Sequence, residues 1–322
     1  MATKTKNMEK SNTSAVLQFI KDWMLVISLV LGAVFNEFIS GLSFLYPYLL
    51  FVLLYLTFCN VSVKEIRFSK VFILLLLYQI GGSVCVYYLL LPFNNILAEG
   101  MMICLLAPTA VASTVVTHIL GGKLEFMAVY VFLGTVIVAF VAPFLFTFFG
   151  FHSDLTFMES VLRISIKVVP VLILPLVAAL LTRRYIPAVH AELLKHPDTT
   201  FYLWAFVLFI AFGGSTKTVL QSGSEHIVTE LMLGVSSLVL CLVSFVSGKL
   251  IGMRFGDRIA CGQALGQKNI ILAIWLSQTY LHPLALLAPA TYILWQNIFN
   301  SVQLMMHSRK ISHAQNLPTP NP

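Results

Sequence analysis

Charge is what this sequence has least of: 10% of its 322 residues are Asp, Glu, Lys or Arg, against about 25% in an average soluble domain. That shortage excludes a water-soluble globule, which needs a polar surface to cover its core. Acidic residues are scarcer than basic ones, 13 against 20, and stand almost wholly between apolar blocks or at their ends. No Asp dyad, Ser/His pair or His/Glu ligand set is visible inside the apolar blocks, so an intramembrane enzyme lacks its chemistry. Cysteine is also sparse and unpatterned. Cys59, Cys85, Cys104, Cys241 and Cys261 are odd in number and form no CxxC or Cys/His cluster, which argues for packing roles over a disulfide framework or zinc site. No basic stretch interleaved with aromatics is present, so the net charge of +7 does not indicate a nucleic-acid partner.

What the sequence has is apolar length. Hydrophobic residues make up 58% of the chain, with a mean hydropathy of +0.89. They come in blocks of about 20, each enough to cross about 30 Å of hydrocarbon as a helix. Ten spans are predicted, at about 23–39, 43–59, 71–91, 97–120, 124–149, 160–182, 200–220, 227–250, 259–281 and 284–306. The first has no small-residue cleavage site behind it and runs on into further spans, so it is expected to stay in the chain. Residues 1–21 and 308–322 are polar and are expected to be disordered tails.

The basic residues give a direction. With the N-terminus in the cytoplasm, Lys4, Lys6, Lys10 and Lys21 precede the first span. Lys64, Arg67, Lys70, Lys123, Arg183, Arg184, Lys195, Lys249, Arg254 and Arg258 then fall in inner loops, and Arg309 and Lys310 follow the last span. Only Arg163, Lys167, Lys217 and Lys268 remain. This bias predicts both termini inside, in a multi-pass protein of the inner or plasma membrane. The positive charge is then a topology signal, and anionic lipid an incidental partner. Ten spans divide into halves at 22–150 and 151–307, joined by an outer segment around His152 and Asp154. Five being odd, two such halves would be inverted repeats, an arrangement used for alternating access.

Two spans carry polar groups where lipid does not tolerate them. The fourth has Pro108, followed by Thr109, Ser113, Thr114 and Thr117 and ending at Gly121-Gly122. Pro108 removes a backbone donor, and the hydroxyls offer oxygens to freed groups or to a ligand. In the ninth, Gly262 and Gly266 are expected to weaken a helix that also holds Gln263, Gln267, Lys268 and Asn269. At 1.5 Å per residue, Lys268 lies about 15 Å beyond Arg258 and Ser113 about 12 Å before Gly121, both near the midplane. Interrupted spans in corresponding positions of two halves point to a transporter binding site. Interhelical glue accounts for hydroxyls and amides, but it does not need a lysine.

The proline-led fourth span with Ser113-Thr114-Val115-Val116-Thr117, the ninth-span Gln263-Ala264-Leu265-Gly266-Gln267, and Pro289-Ala290 with Trp295-Gln296-Asn297 in the tenth resemble the bile acid:sodium symporter superfamily. Gln79 of the third span and the ten-span count fit the same pattern. The resemblance implies an all-α membrane protein with a panel and a core domain. Broken helices 4 and 9 would cross in the core near sodium sites, and an organic anion would bind between the domains. It implies an ion site around Gln79, Ser113, Thr114, Thr135, Gln263 and Gln267, and cavity positions at Pro108, Thr117, Asn269 and Asn297.

The departures concern charge. The family has Ser-Asn where this chain has Ser113-Thr114, and a Glu where it has Gln263; Lys268 replaces the Asn that follows Gln267. Sodium is a hard cation that prefers oxygens, and here its counter-charge is gone and a positive charge added. The sharp expectation is that the Lys268 ammonium takes the role of a bound sodium, organising the amides of Gln79, Gln263 and Gln267. Neutralisation would then come from an anionic substrate or from loss of a proton. The alternative is that Lys268 reaches a water-filled cavity and one sodium site survives. Either way, the predicted function is secondary transport of an organic anion, a carboxylate or bile-acid-like molecule. No cofactor is expected beyond sodium or a proton as coupling ion. An intramembrane enzyme or a receptor is the competing class.

Overall fold

The computed structural model describes residues 23–24, 26–60, 69–149, 156–195, 197–223 and 226–315. The tail expected at 1–21, the joining segment at His152 and Asp154, the loop residues Lys64 and Arg67, and positions 316–322 lie outside the described residues.

The described chain is all-α. Residues 26–34 and Asn36–Ser40 are helical and meet at a turn at Phe35; together they are α1 (26–40). It is followed by α2 (Tyr46–Cys59), α3 (Lys70–Leu90), α4 (Asn95–Leu106), α5 (Ala112–Ile119), α6 (Leu124–Phe149), α7 (Phe157–Tyr185) and α8 (Pro187–Lys195). Then come α9 (Pro197–Ser222), α10 (Ile227–Phe255), α11 (Arg258–Gly266), α12 (Ile270–Tyr280) and α13 (Leu287–Gln315). Side chains start several of them: Ser69 caps α3, Asn94 caps α4, Asp257 caps α11, and Thr156 with Glu159 forms a reciprocal capping box on α7. Gly256, in the left-handed region at φ 79°, ends α10.

Among the described residues, five helices are long and apolar enough to cross a membrane: α3, α6, α7, α9 from Thr199, and α10. Shorter apolar helices include α2, α4 and α12. Large apolar side chains such as Leu77, Phe148, Ile166 and Val235 face outward, as expected where the solvent is lipid. Helices α4, α5, α11 and α12 are short, and each pair, α4 with α5 and α11 with α12, is parted by a few non-helical residues. They hold 12, 8, 9 and 11 residues, so either pair at 1.5 Å per residue covers about 30 Å. Last, α13 continues to Gln315, so 308–315 form its final turns and not the irregular tail expected from residue 308.

Two sets of helices pack within themselves, and α6 joins them by packing along α7. Helices α1, α2, α7 and α9 pack on one another, while α4, α5, α11 and α12 pack among α3, α6, α10 and α13. The tightest seam joins α10 to α11. A Cβ at Gly248 would meet the Cys261 carbonyl and one at Gly252 the Asp257 carbonyl, so Gly248-Lys249-Leu250-Ile251-Gly252 acts as a small-xxx-small stripe. Gly262 lies inside α11, where its missing side chain makes room for the Lys249 stem. One sequence expectation is corrected here. Lys249 itself belongs to no loop. It stands inside α10 with its ammonium 5.4 Å from the centre of the Phe299 ring.

Candidate functional site

Pro108 sets the centre of the molecule. It cannot donate to the turn before it, so α4 ends with the Ala107 N–H on the Ile103 carbonyl and leaves its last carbonyls without helical donors. Two distant side chains supply them. The Lys268 ammonium donates to the Leu105 carbonyl at 2.9 Å, and the Gln79 amide donates to the carbonyls of Leu106 and Ala107 at 2.8 and 3.0 Å. Gln79 is oriented in turn by the Tyr130 hydroxyl, which donates to its Oε1 at 3.0 Å. A helix C-terminus carries roughly half a unit of negative charge, so the ammonium sits where a cation is most welcome. Lys268 is 1% exposed and forms no ion pair with a described carboxylate.

Beyond Ala107 and beyond Gly266 the chain is extended, and the two extended pieces cross. Thr109 and Lys268 form an antiparallel bridge. The Ala110 N–H donates to the Gln267 carbonyl at 3.0 Å and the Asn269 N–H to the Pro108 carbonyl at 2.8 Å. The end of α11 is satisfied as thoroughly as that of α4. The Thr109 hydroxyl donates to the Ala264 carbonyl and the Tyr292 hydroxyl to that of Gly266, at 2.5 and 2.9 Å. Gln296 accepts from the Lys268 N–H at 2.9 Å and donates to its carbonyl. Buried backbone without water must find such partners. Across the crossing, α5 begins without a side-chain cap, while Asn269 caps α12.

The predicted residues divide by position. Gln79, Pro108, Lys268 and Asn269 meet at the crossing. Gln263 donates to Asn300 Oδ1 at 3.0 Å and is not a hydrogen-bond partner of the ammonium. Ser113, Thr117, Gln263 and Gln267 are buried, and their hydroxyl or Oε1 oxygens have no hydrogen-bond partner. Thr114 and Thr135 are buried with hydroxyls bonded within their own helices, to Val111 and Val131. Asn297 is half-buried and bonds back to Ile293, and Trp295 donates to Gly234 on α10. Tyr130 and Tyr292 were not foreseen, since a tyrosine inside an apolar span carries no distinguishing sequence signal. Gln296 and Asn300, a turn apart on α13, carried the available hint. Glu99, near the start of α4, is buried at 3% exposure.

The model of the Sodium Bile acid symporter family matches residues 47–222, more than half of the chain. The chain belongs to the sodium bile acid symporter family. That family is made up of transporters, not enzymes, and its kind of function is sodium-coupled movement of bile acids or other organic anions. The protein is therefore a multi-pass membrane transporter of a small organic substrate. The stretch matched to the symporter family contains Gln79, Pro108, Ser113, Thr114 and Thr135, whereas Gln263, Gln267 and Lys268 lie beyond it. Comparison with curated proteins gives no match.

Proposed function

We propose that the protein moves an organic anion, a carboxylate of bile-acid or smaller size, by alternating access, with the Lys268 ammonium standing in for a coupling sodium ion. One observation carries this reading. The ammonium donates to the Leu105 carbonyl, next to the two carbonyls held by Gln79, at the end of a broken helix. Helix C-terminal ends and unwound carbonyls are what transporters use to bind sodium or protons. A lysine supplies the same charge from within the chain, so transport would follow the substrate gradient or couple to protons.

In this reading ten spans form two inverted halves, 22–150 and 151–307, with both termini cytoplasmic. Helices α1, α2, α7 and α9 form the panel, and the remaining spans form the core. The anion lies between them near Pro108, Thr117, Asn269 and Asn297, facing the positive N-terminal ends of α5 and α12. Uptake into proteoliposomes tests the class. Accumulation of taurocholate or of a small carboxylate above protein-free vesicles supports it, and binding of such anions without uptake would replace it with a receptor.

A second reading has its own support. The buried oxygens of Ser113, Thr117, Gln263 and Gln267 have no hydrogen-bond partner and are of the type a hard cation prefers, so one sodium site could survive beside the lysine. Uptake that rises with sodium concentration and saturates would favour it.

A further inference from the structure

We infer that Asp257 and Glu99 are a pair of positioning residues that clasp the two broken helices to each other at opposite ends, holding the crossing between them as one rigid unit. Asp257 uses one oxygen to cap its own helix, accepting from the Ala260 N–H at 2.8 Å. Its other oxygen accepts from the Lys123 N–H at 3.1 Å, just after α5 has ended at Gly121-Gly122. Glu99 repeats the arrangement at the far end. One oxygen accepts within α4, from the Asn95 amide at 2.9 Å, and the other accepts from the His282 N–H at 2.6 Å, just after α12 has ended. Each carboxylate thus sits near the start of one broken helix and holds the finish of the other.

Burial makes the arrangement informative. Asp257 is 8% and Glu99 3% exposed, and a buried carboxylate is costly unless its oxygens are occupied. Capping alone would need one oxygen at an exposed position; here both oxygens are used, one within the helix and one across. The surrounding contacts are close. A Cβ at Gly122 would lie 2.9 Å from Ile259 beside the Asp257 clasp, and one at Gly100 would lie 2.8 Å from Ala288 beside the Glu99 clasp. The Thr109–Lys268 bridge lies between the two clasps, so the halves are joined at both ends and in the middle. A crossing held this way moves whole, and none of this requires Lys268 to replace sodium.

Hydrogen–deuterium exchange on the purified full-length chain tests the clasp. Asp257→Ser keeps a capping oxygen but has none left for Lys123, and Glu99→Gln keeps the shape with one acceptor fewer. Each variant is expected to speed exchange at least tenfold in peptides covering 107–111 and 267–270, although neither substituted residue touches them. Acceleration confined to 258–262 in the first and 95–101 in the second would show a cap and a local bond only, and would overturn the proposal. If Asp257→Ser fails to fold, Glu99→Gln decides by the same criterion.

Discussion

The Lys268 ammonium lies 2.9 Å from the Leu105 carbonyl, 163 positions away in the chain, and so joins the two broken helix pairs by a side chain as well as by backbone. Converting this residue to a neutral amide separates its electrostatic role from its packing role. In Lys268→Asn the positive charge is gone while the Leu106 and Ala107 carbonyls stay held by Gln79. Sodium chloride, but not choline chloride, is then expected to raise the melting temperature of the variant and to leave the parent unchanged, because a ligand that binds the folded state stabilises it by mass action. Equal responses of the two proteins would count against the stand-in role.

Tyr130 and Gln79 act in series, the hydroxyl holding the amide that holds the α4 carbonyls. Tyr130→Phe should cost about 1 kcal/mol, the net worth of a neutral hydrogen bond. Gln79→Leu leaves two carbonyls without this donor and should cost about 2 to 4 kcal/mol. Combined, they should cost less than the sum, and a thermal or denaturant double-mutant cycle measures the difference.

Gly266 and Gly248 give opposite outcomes on relief. A Cβ at Gly266 would strike the Phe245 ring, so Gly266→Ala should destabilise by about 1 to 3 kcal/mol and recover in part with Phe245→Leu. At Gly248 the obstacle is the Cys261 carbonyl, which no side-chain change can remove. Melting temperatures of the four variants, including Gly248→Ala with Phe245→Leu, check this.

How much of this was legible follows from what each residue signals. The breaks were foreseen because Pro108 and Lys268 are in the wrong solvent: a proline and a lysine at mid-depth stand out against apolar neighbours. The family was legible for the same reason, from residues clustered at those breaks, and the match over 47–222 bears it out. Lys249 was misplaced because position along the chain does not reveal that a Lys stem lies along Gly262 with its charge over Phe299. The close packing at Gly262 was not legible because a glycine that weakens a helix and one that admits a neighbour look the same in sequence. The partners of the crossing, Tyr130 and Tyr292, depend on pairings 51 and 26 positions apart, between helices, that only folding brings together. The clasps are similar. Asp257 is readable as a helix cap, but its second contact, with Lys123, is not.

Initial rates of taurocholate or small-carboxylate uptake by reconstituted protein, compared in sodium and in choline buffer at one pH, test the central claim most directly. With Lys268 in the place of a sodium ion at the end of α4, the two rates should agree within twofold. A rate that collapses in choline and is restored by sodium would contradict it.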